Sequence, residues 1–130
     1  MDSSKTLNMS KLRLILMEKN VILDTNFLVY IFKYKIDLFS ELDRICNFKY
    51  KTQILTGSIE ELEKVKPTEL NIIKQFIPRL NLLNSKIKNV DDELVNLSKE
   101  NIIATQDKNL KKRLNGQVII IRQKKYLILI

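Results

Sequence analysis

Residues 21–29 read VILDTNFLV. Val21, Ile22 and Leu23 have the unbroken apolar character of a strand covered on both faces, and Phe27, Leu28 and Val29 resume the apolar pattern directly afterwards. Asp24, Thr25 and Asn26 interrupt it. A carboxylate at the mouth of a buried strand is costly to desolvate unless something pairs with it, so Asp24 either caps the next helix or belongs to a site. A cap would have to open a helix inside an apolar stretch whose only other polar neighbours are Thr25 and Asn26, which favours the site.

Outward from this stretch, helices and strands alternate. DLFSELDRICNF (37–48) carries Leu38, Phe39, Leu42, Ile45 and Cys46 at helical spacing, KTQILT (51–56) reads as a second strand, and SIEELEKV (58–65) begins a helix that Pro67 limits. TELNIIKQFIPRLNLL (68–83) continues as helix with Leu70, Ile73, Phe76, Ile77 and Leu80 on one side, bent or ended by Pro78. NVDDELVNLSKE (89–100) is a helix with acids in its first turn, NIIATQD (101–107) a short strand, and KNLKKRLNG (108–116) a helix closed by Asn115 and Gly116. QVIIIR (117–122) and YLILI (126–130) are β-rich runs around the basic turn QKK. The alternation predicts an α/β three-layer sandwich with a mostly parallel central sheet, the last run forming an added edge strand. Residues 1–18 read as an N-terminal arm or short helix and 19–130 as a single domain, without repeats, low-complexity segments or internal linkers.

Composition narrows the chemistry. With 130 residues and 45% hydrophobic content the chain can bury one real core. It has no histidine and one cysteine, Cys46, which removes Ser-His-Asp and Cys-His nucleophiles, Cys/His zinc sites and an internal disulfide. Gly57 and Gly116 are its only glycines, so Walker-type phosphate loops and GxGxxG turns are excluded. Any catalysis must therefore run on carboxylates, lysines, hydroxyls or a metal. The apolar run LRLIL (12–16) is too short for a signal peptide or a membrane span, so a cytoplasmic, soluble protein without a membrane partner is expected. The formal charge of +8 favours a polyanionic partner, nucleic acid first. The competing reading is a lysine-rich surface set by genome composition or thermal adaptation.

In open parallel sheets ligands bind beyond the carboxyl ends of the strands, and the acids sort by that rule. Asp24 closes the first strand, Glu61 follows the strand QILT, Asp107 follows IIAT, and Asp92 joins them if its helix starts at the same edge. Singly, each has a structural explanation: Ser58 with Glu61 spells a capping box, Asp107 is a good N-cap, and Asp91 and Asp92 complement a helix dipole. Together, converging carboxylates without histidine, cysteine or a paired arginine repel one another, and the usual compensation is a divalent cation. An all-oxygen donor set suits Mg²⁺ or Mn²⁺, which activate water and stabilise charge on a phosphate during in-line displacement. With those four acids set aside, 11 of the 15 remain against 23 basic side chains, and the balance rises from +8 to +12. Phosphate contacts fall to Lys108, Lys111, Lys112 and Arg113 beside Asp107, and to Arg122, Lys124 and Lys125 at the last turn. Each of these also has an ordinary reading as an exposed or dipole-satisfying base.

The segments VILDTNFLV, SIEELEKV, VDDELVNLS and IIATQDKNLKKRL, in this order and at these separations, resemble the PIN domain. The terminal VIIIRQKKYLIL looks like the archaeal and eukaryotic small-subunit rRNA-processing branch and its VapC-type relatives, and the likeness runs from about Lys19 to near the C-terminus. The resemblance implies a parallel sheet flanked by helices and an acidic cluster holding Mg²⁺ or Mn²⁺. It further implies hydrolysis of single-stranded RNA to a 5′-phosphate and a 3′-hydroxyl. By motif, Asp24 is the aspartate of the D-[ST]-N signature, Glu61 the glutamate preceding leucine, Asp92 the start of the third acidic motif with Asp91 as its supporting neighbour, and Asp107 the aspartate of T-x-D. Thr25, Asn26 and Thr105 would orient these ligands.

Two positions depart from the pattern: Gln106, where Asn or Arg is frequent, and Glu93, where a small residue is usual. Glu93 either points outward or competes for metal. The implied partners are RNA, a second copy in a homodimer, and an antitoxin or a ribosome-assembly partner, so toxin and RNA-maturation roles both stay open. The alternative is a non-catalytic RNA-binding or assembly protein retaining the PIN fold. A phosphoacceptor domain lacks its strand-end lysine, and a D-x-D phosphatase is disfavoured by Asn26.

Overall fold

The computed structural model describes Met9 and residues 18–130. Of the arm expected over residues 1–18, the remainder lies outside the described residues, and Glu18 opens the first strand. Strand β1 (Glu18–Leu23) leads into helices α1 (Thr25–Lys33) and α2 (Leu38–Ile45), then strand β2 (Lys49–Leu55) and helices α3 (Thr56–Val65) and α4 (Leu70–Phe76). A 3-10 turn (Ile77–Arg79) passes to strand β3 (Asn81–Leu83), followed by helix α5 (Val90–Leu97), strand β4 (Ile102–Ala104) and helix α6 (Lys108–Arg113). Strands β5 (Val118–Arg122) and β6 (Tyr126–Leu129) end the chain.

The six strands form one sheet in the order β3-β2-β1-β4-β5-β6. All pairings are parallel except β5 with β6. The expected three-layer α/β sandwich is what the chain builds. Side chains alternate across the sheet as strand geometry requires. Val21, Leu23, Ile54, Ile102, Ala104, Ile119 and Ile121 meet Phe27, Leu28, Ile31, Leu38, Leu42, Leu62 and Ile73 of α1 to α4 in the larger core. Ile22, Leu55 and Ile103 meet Leu94 of α5 and Leu110 of α6 on the other face. The apolar run of residues 21–23 is thus continuous because both faces of β1 are covered.

Several boundaries differ from the sequence expectation for physical reasons. The helix expected across 68–83 ends at Phe76, Pro78 sits in the 3-10 turn that follows, and the chain continues as the edge strand β3. Proline cannot donate into a helical ladder, whereas Asn81 pairs with Gln53 and its amide donates to Thr52 O at 3.1 Å. Helix α6 ends at Leu114 in extended backbone rather than on a glycine cap. Gly116 serves a close approach instead: its φ is +129° and a Cβ there would stand 2.8 Å from Ser98 O. The edge strand β6 is closed by side chains of α2, since Leu127 N–H donates to Glu41 Oε1 at 2.8 Å and its carbonyl accepts from Arg44 Nη2 at 2.7 Å. No helix among the described residues is long and apolar enough to cross a membrane.

Candidate active site

From β1 the chain proceeds outward in one direction through β2 and β3, and in the other it returns through β4 and β5. The switch point therefore lies at the carboxyl ends of β1 and β4, where a doubly wound sheet opens a crevice. Asp24 follows β1 and Asp107 stands three residues after Ala104, the last residue of β4. The two ends are tied together: Asp24 N–H donates to Ala104 O at 2.9 Å and Thr105 Oγ1 donates to Asp24 Oδ2 at 2.7 Å.

Asp24 is both cap and site. Helix α1 does begin inside the apolar stretch, because Phe27, Leu28 and Ile31 share one buried stripe, and Asp24 Oδ1 accepts from Thr25 N at 2.8 Å at its N-cap. Thr25 Oγ1 then donates to Glu61 Oε2 at 2.8 Å. The capping box expected of Ser58 and Glu61 does not form: α3 starts at Thr56, so both residues are already helical, and Ser58 is fully buried with an unpartnered hydroxyl. Thr105 links the other side of the cluster, accepting from Asp107 N at 3.1 Å while it donates to Asp24. Asp107 caps α6, taking Asn109 N–H at 2.9 Å and Leu110 N–H at 3.1 Å on Oδ1.

A cleft of about 410 Å³ collects Asp24, Glu61, Asp91 and Asp107 together with Thr25 and Asn26. Asp92 is outside it. Asn89 caps α5 by accepting from Asp92 N at 2.9 Å, and this fixes the helical phase so that Asp91 faces the cleft. The Asp92 carboxylate is exposed and takes Arg113 Nη2 at 2.6 Å. The order read from sequence, Asp92 in the cluster with Asp91 in support, is reversed in space. Glu93 does neither thing expected of it. It is buried and accepts Lys86 N–H at 2.9 Å and Ile87 N–H at 3.4 Å, anchoring the loop before α5. Gln106 is bonded both ways to Ile121, donating to its carbonyl and accepting from its N–H, so it stitches the end of β4 to β5.

The electrostatics are those of crowded anions. Burial first, then the charges of Asp91 and Glu61, raise the pKa of Asp24 to about 6 against the bonds from Thr105 and Thr25. Asp91 is raised by burial and by the charges of Asp107 and Glu61. Glu69 lines the cleft as well, and none of the cleft's five carboxylates forms a salt bridge among the described residues. Asn26 Oδ1 is buried in the same cleft without a partner. An all-oxygen set with surplus negative charge fits a hard divalent cation. Among the described residues, however, no three acids are gathered tightly enough to grip one ion without side-chain movement.

None of the seven bases assigned to phosphate lines this cleft. Lys108 and Lys112 are exposed on α6, Lys111 is half-buried and Arg113 is engaged by Asp92. Arg122, Lys124 and Lys125 are exposed at the β5–β6 turn. The lysine that does line it is Lys33, with Tyr30 beside it, and sequence reasoning missed both. Their signal was helical spacing: once α1 is granted, positions 26, 30 and 33 share one face.

A family model described as a PIN like domain matches residues 21–124. The chain belongs to the PIN-like family. Ribonuclease VapC4 of Methanocaldococcus jannaschii is 39% identical, over 82% of this chain and 92% of that protein. The structure of the PIN domain endonuclease Utp24 superposes with a TM-score of 0.72 at 28% identity, covering 85% of this PIN-like chain and 90% of that one. VapBC2 from Rickettsia felis, solved bound to a DNA fragment from its promoter, shares the fold at 16% identity and a TM-score of 0.51, over 76% of this chain and 98% of that one.

Proposed function

We propose that this PIN-like chain is a divalent-metal-dependent endoribonuclease that hydrolyses single-stranded RNA in the cleft at the β1–β4 switch point. The observation that carries the reading is the gathering of Asp24, Glu61, Asp91 and Asp107 in one cleft with no salt-bridging partner among the described residues, where burial first and neighbouring charge second raise the proton affinity of Asp24 and Asp91. Asp24, Glu61, Asp91 and Asp107 would hold Mg²⁺ or Mn²⁺, and when bound such an ion supplies an activated water and stabilises charge on the phosphate. In this proposal Asp91 takes the position that motif matching assigned to Asp92. Thr25 and Thr105 orient Glu61 and Asp24 through their hydroxyls, and the unpartnered Asn26 carbonyl accepts from a donor brought in with the ligand. The 39% identity to Ribonuclease VapC4 supports the activity and, as part of the same proposal, an antitoxin as protein partner.

The test is cleavage of a labelled, unstructured RNA with Mn²⁺, Mg²⁺ or EDTA by the wild type and by Asp24→Asn, Asp91→Asn and Asp92→Asn. Cutting is expected with metal alone, to be lost in Asp24→Asn, to fall on the order of 10²-fold in Asp91→Asn and to stay within a few fold in Asp92→Asn. RNA binding without turnover under either metal would instead support the RNA-binding protein that merely retains the fold. Equal losses in the Asp91 and Asp92 variants would reject the exchange of their roles.

A further inference from the structure

Helix α1 contributes more to the cleft than its capping aspartate. Tyr30 lines it one turn beyond Asn26, and Tyr34 follows one turn later. Their rings stack with centroids 5.4 Å apart and planes 17° from parallel. An exposed ammonium stands over each ring, Lys33 Nζ at 5.8 Å from the Tyr30 centroid and Lys124 Nζ at 5.8 Å from that of Tyr34. Lys124 arrives there from the other end of the chain, on the β5–β6 turn. Gln123 and Lys124 hold φ of 54° and 57° in that turn, a left-handed pair that hairpins usually fill with asparagine and glycine. Side chains at such positions carry a backbone cost, and here the outcome is a cation delivered to an aromatic face.

A tyrosine pair at helical i, i+4 spacing is by itself an ordinary surface contact. What distinguishes this one is its surroundings. Tyr30 shares a cleft with five carboxylates, which repel every phosphate of an RNA strand except one bridged by a cation. The strand must therefore be held by something other than the cleft floor. Aromatic faces bind any unpaired base, and here the face that each ring turns away from the other tyrosine takes one as the exposed lysine over the ring swings to the phosphate between bases.

We propose that Tyr30 and Tyr34 form a base-stacking subsite that holds unpaired nucleotides next to the reacting phosphate, with Lys33 and Lys124 on the flanking phosphates. The proposal rests on the nuclease reading above and adds the means by which a single strand is retained beside an acidic centre. It makes the site tolerant of base identity and closed to duplex, whose bases hide their faces.

Binding is read by fluorescence anisotropy on the full chain in EDTA, where no metal-dependent cutting intervenes. The probes are a short labelled oligouridylate and an abasic ribose-phosphate oligomer of the same length and charge. The wild type is expected to bind the oligouridylate at least about fivefold more tightly. Tyr30→Leu and Tyr34→Leu are each expected to narrow that gap, whereas Tyr30→Phe keeps it. Lys124→Ala weakens both probes alike and lowers the salt dependence by about one phosphate contact. Equal affinity of the wild type for the two probes, or a gap that survives in both leucine variants, overturns the subsite. If intact RNA is cut with metal while the gap is absent, the subsite alone falls. If RNA is neither bound nor cut, the nuclease reading falls and the subsite with it. The wild-type comparison needs no variant to fold, so a misfolded leucine variant leaves the first overturning outcome in force.

Discussion

Asp24 has two hydrogen bonds to its carboxylate and still binds its proton up to about pH 6, because burial outweighs them. The folded protein therefore holds this proton more tightly than the unfolded chain, where an aspartate titrates near 3.9. The sign follows: the group favours the folded state as pH falls from about 6 towards 4, and above about 6 its ionised form costs the fold on the order of 3 kcal/mol. Asp24→Asn keeps an acceptor for Thr25 N–H and removes that charge. In EDTA at pH 7.5, urea unfolding should find the variant more stable by about 1–3 kcal/mol, with the gain shrinking towards pH 4. A variant less stable than the wild type at pH 7.5 would show that the hydroxyl bond from Thr105 matters more than the desolvated charge. The choice between Asp91 and Asp92 is also a matter of single residues, and it was not legible in sequence. Adjacent helical positions point about 100° apart, and only the start of α5 at Val90, set by its Asn89 cap, decides which one turns inward.

Among the elements, strands buried on both faces were legible because VIL and IIA run apolar without polar relief and each is followed by a polar break. Strand β3 was not. Its three residues continue the apolar spacing of the helix before them, and Leu82 is 58% exposed, so no periodicity separates them from a helix end. Helix α1 was obscured for the opposite reason, since its buried stripe follows the strand without a break. The loop from β3 to α5 owes its path to contacts far from its own sequence. Gly57 of α3 lets it approach, since a Cβ there would meet Ser85 Oγ at 2.9 Å, and Ser85 Oγ in turn accepts Gly57 N–H at 2.8 Å. Glu93 closes the loop by accepting two of its N–H groups. Glu93→Ala strands the Lys86 and Ile87 donors beside a cavity, and thermal or urea unfolding should show a loss of about 1–3 kcal/mol. Amide exchange at Lys86 should rise selectively. Unchanged stability with unchanged protection would mean that the loop is held by Ser85 alone.

At the scale of the whole molecule, the chain carries +8 while concentrating acids at one sheet edge, so two fields of opposite sign meet where the strand order reverses. Composition announced the first field and strand exits the second, but the cation that shares the acidic cleft, Lys33, came from helix geometry rather than from basic runs. Lys33 has only Lys35 near it in sequence, whereas the conspicuous cluster ending in Arg113 lies outside the cleft and spends that arginine on Asp92. Opposed fields predict opposed pH dependences. Without metal, the ionised cleft repels RNA, and protonation of Asp24 and Asp91 removes part of that repulsion. Affinity for single-stranded RNA in EDTA should therefore rise as pH is lowered from 7.5 through about 6. If the proposed nuclease function holds, then with Mg²⁺ or Mn²⁺ the same protons compete with the ion for the carboxylates, so cleavage should fall over the same direction of pH, with its midpoint below 6 because the cation stabilises the ionised form. Anisotropy in EDTA and initial rates with metal, taken on one RNA across one pH series, measure both arms. Affinity and rate that decline together on acidification would mean that the acids do not repel the strand, and that the basic surface alone governs how RNA reaches the cleft.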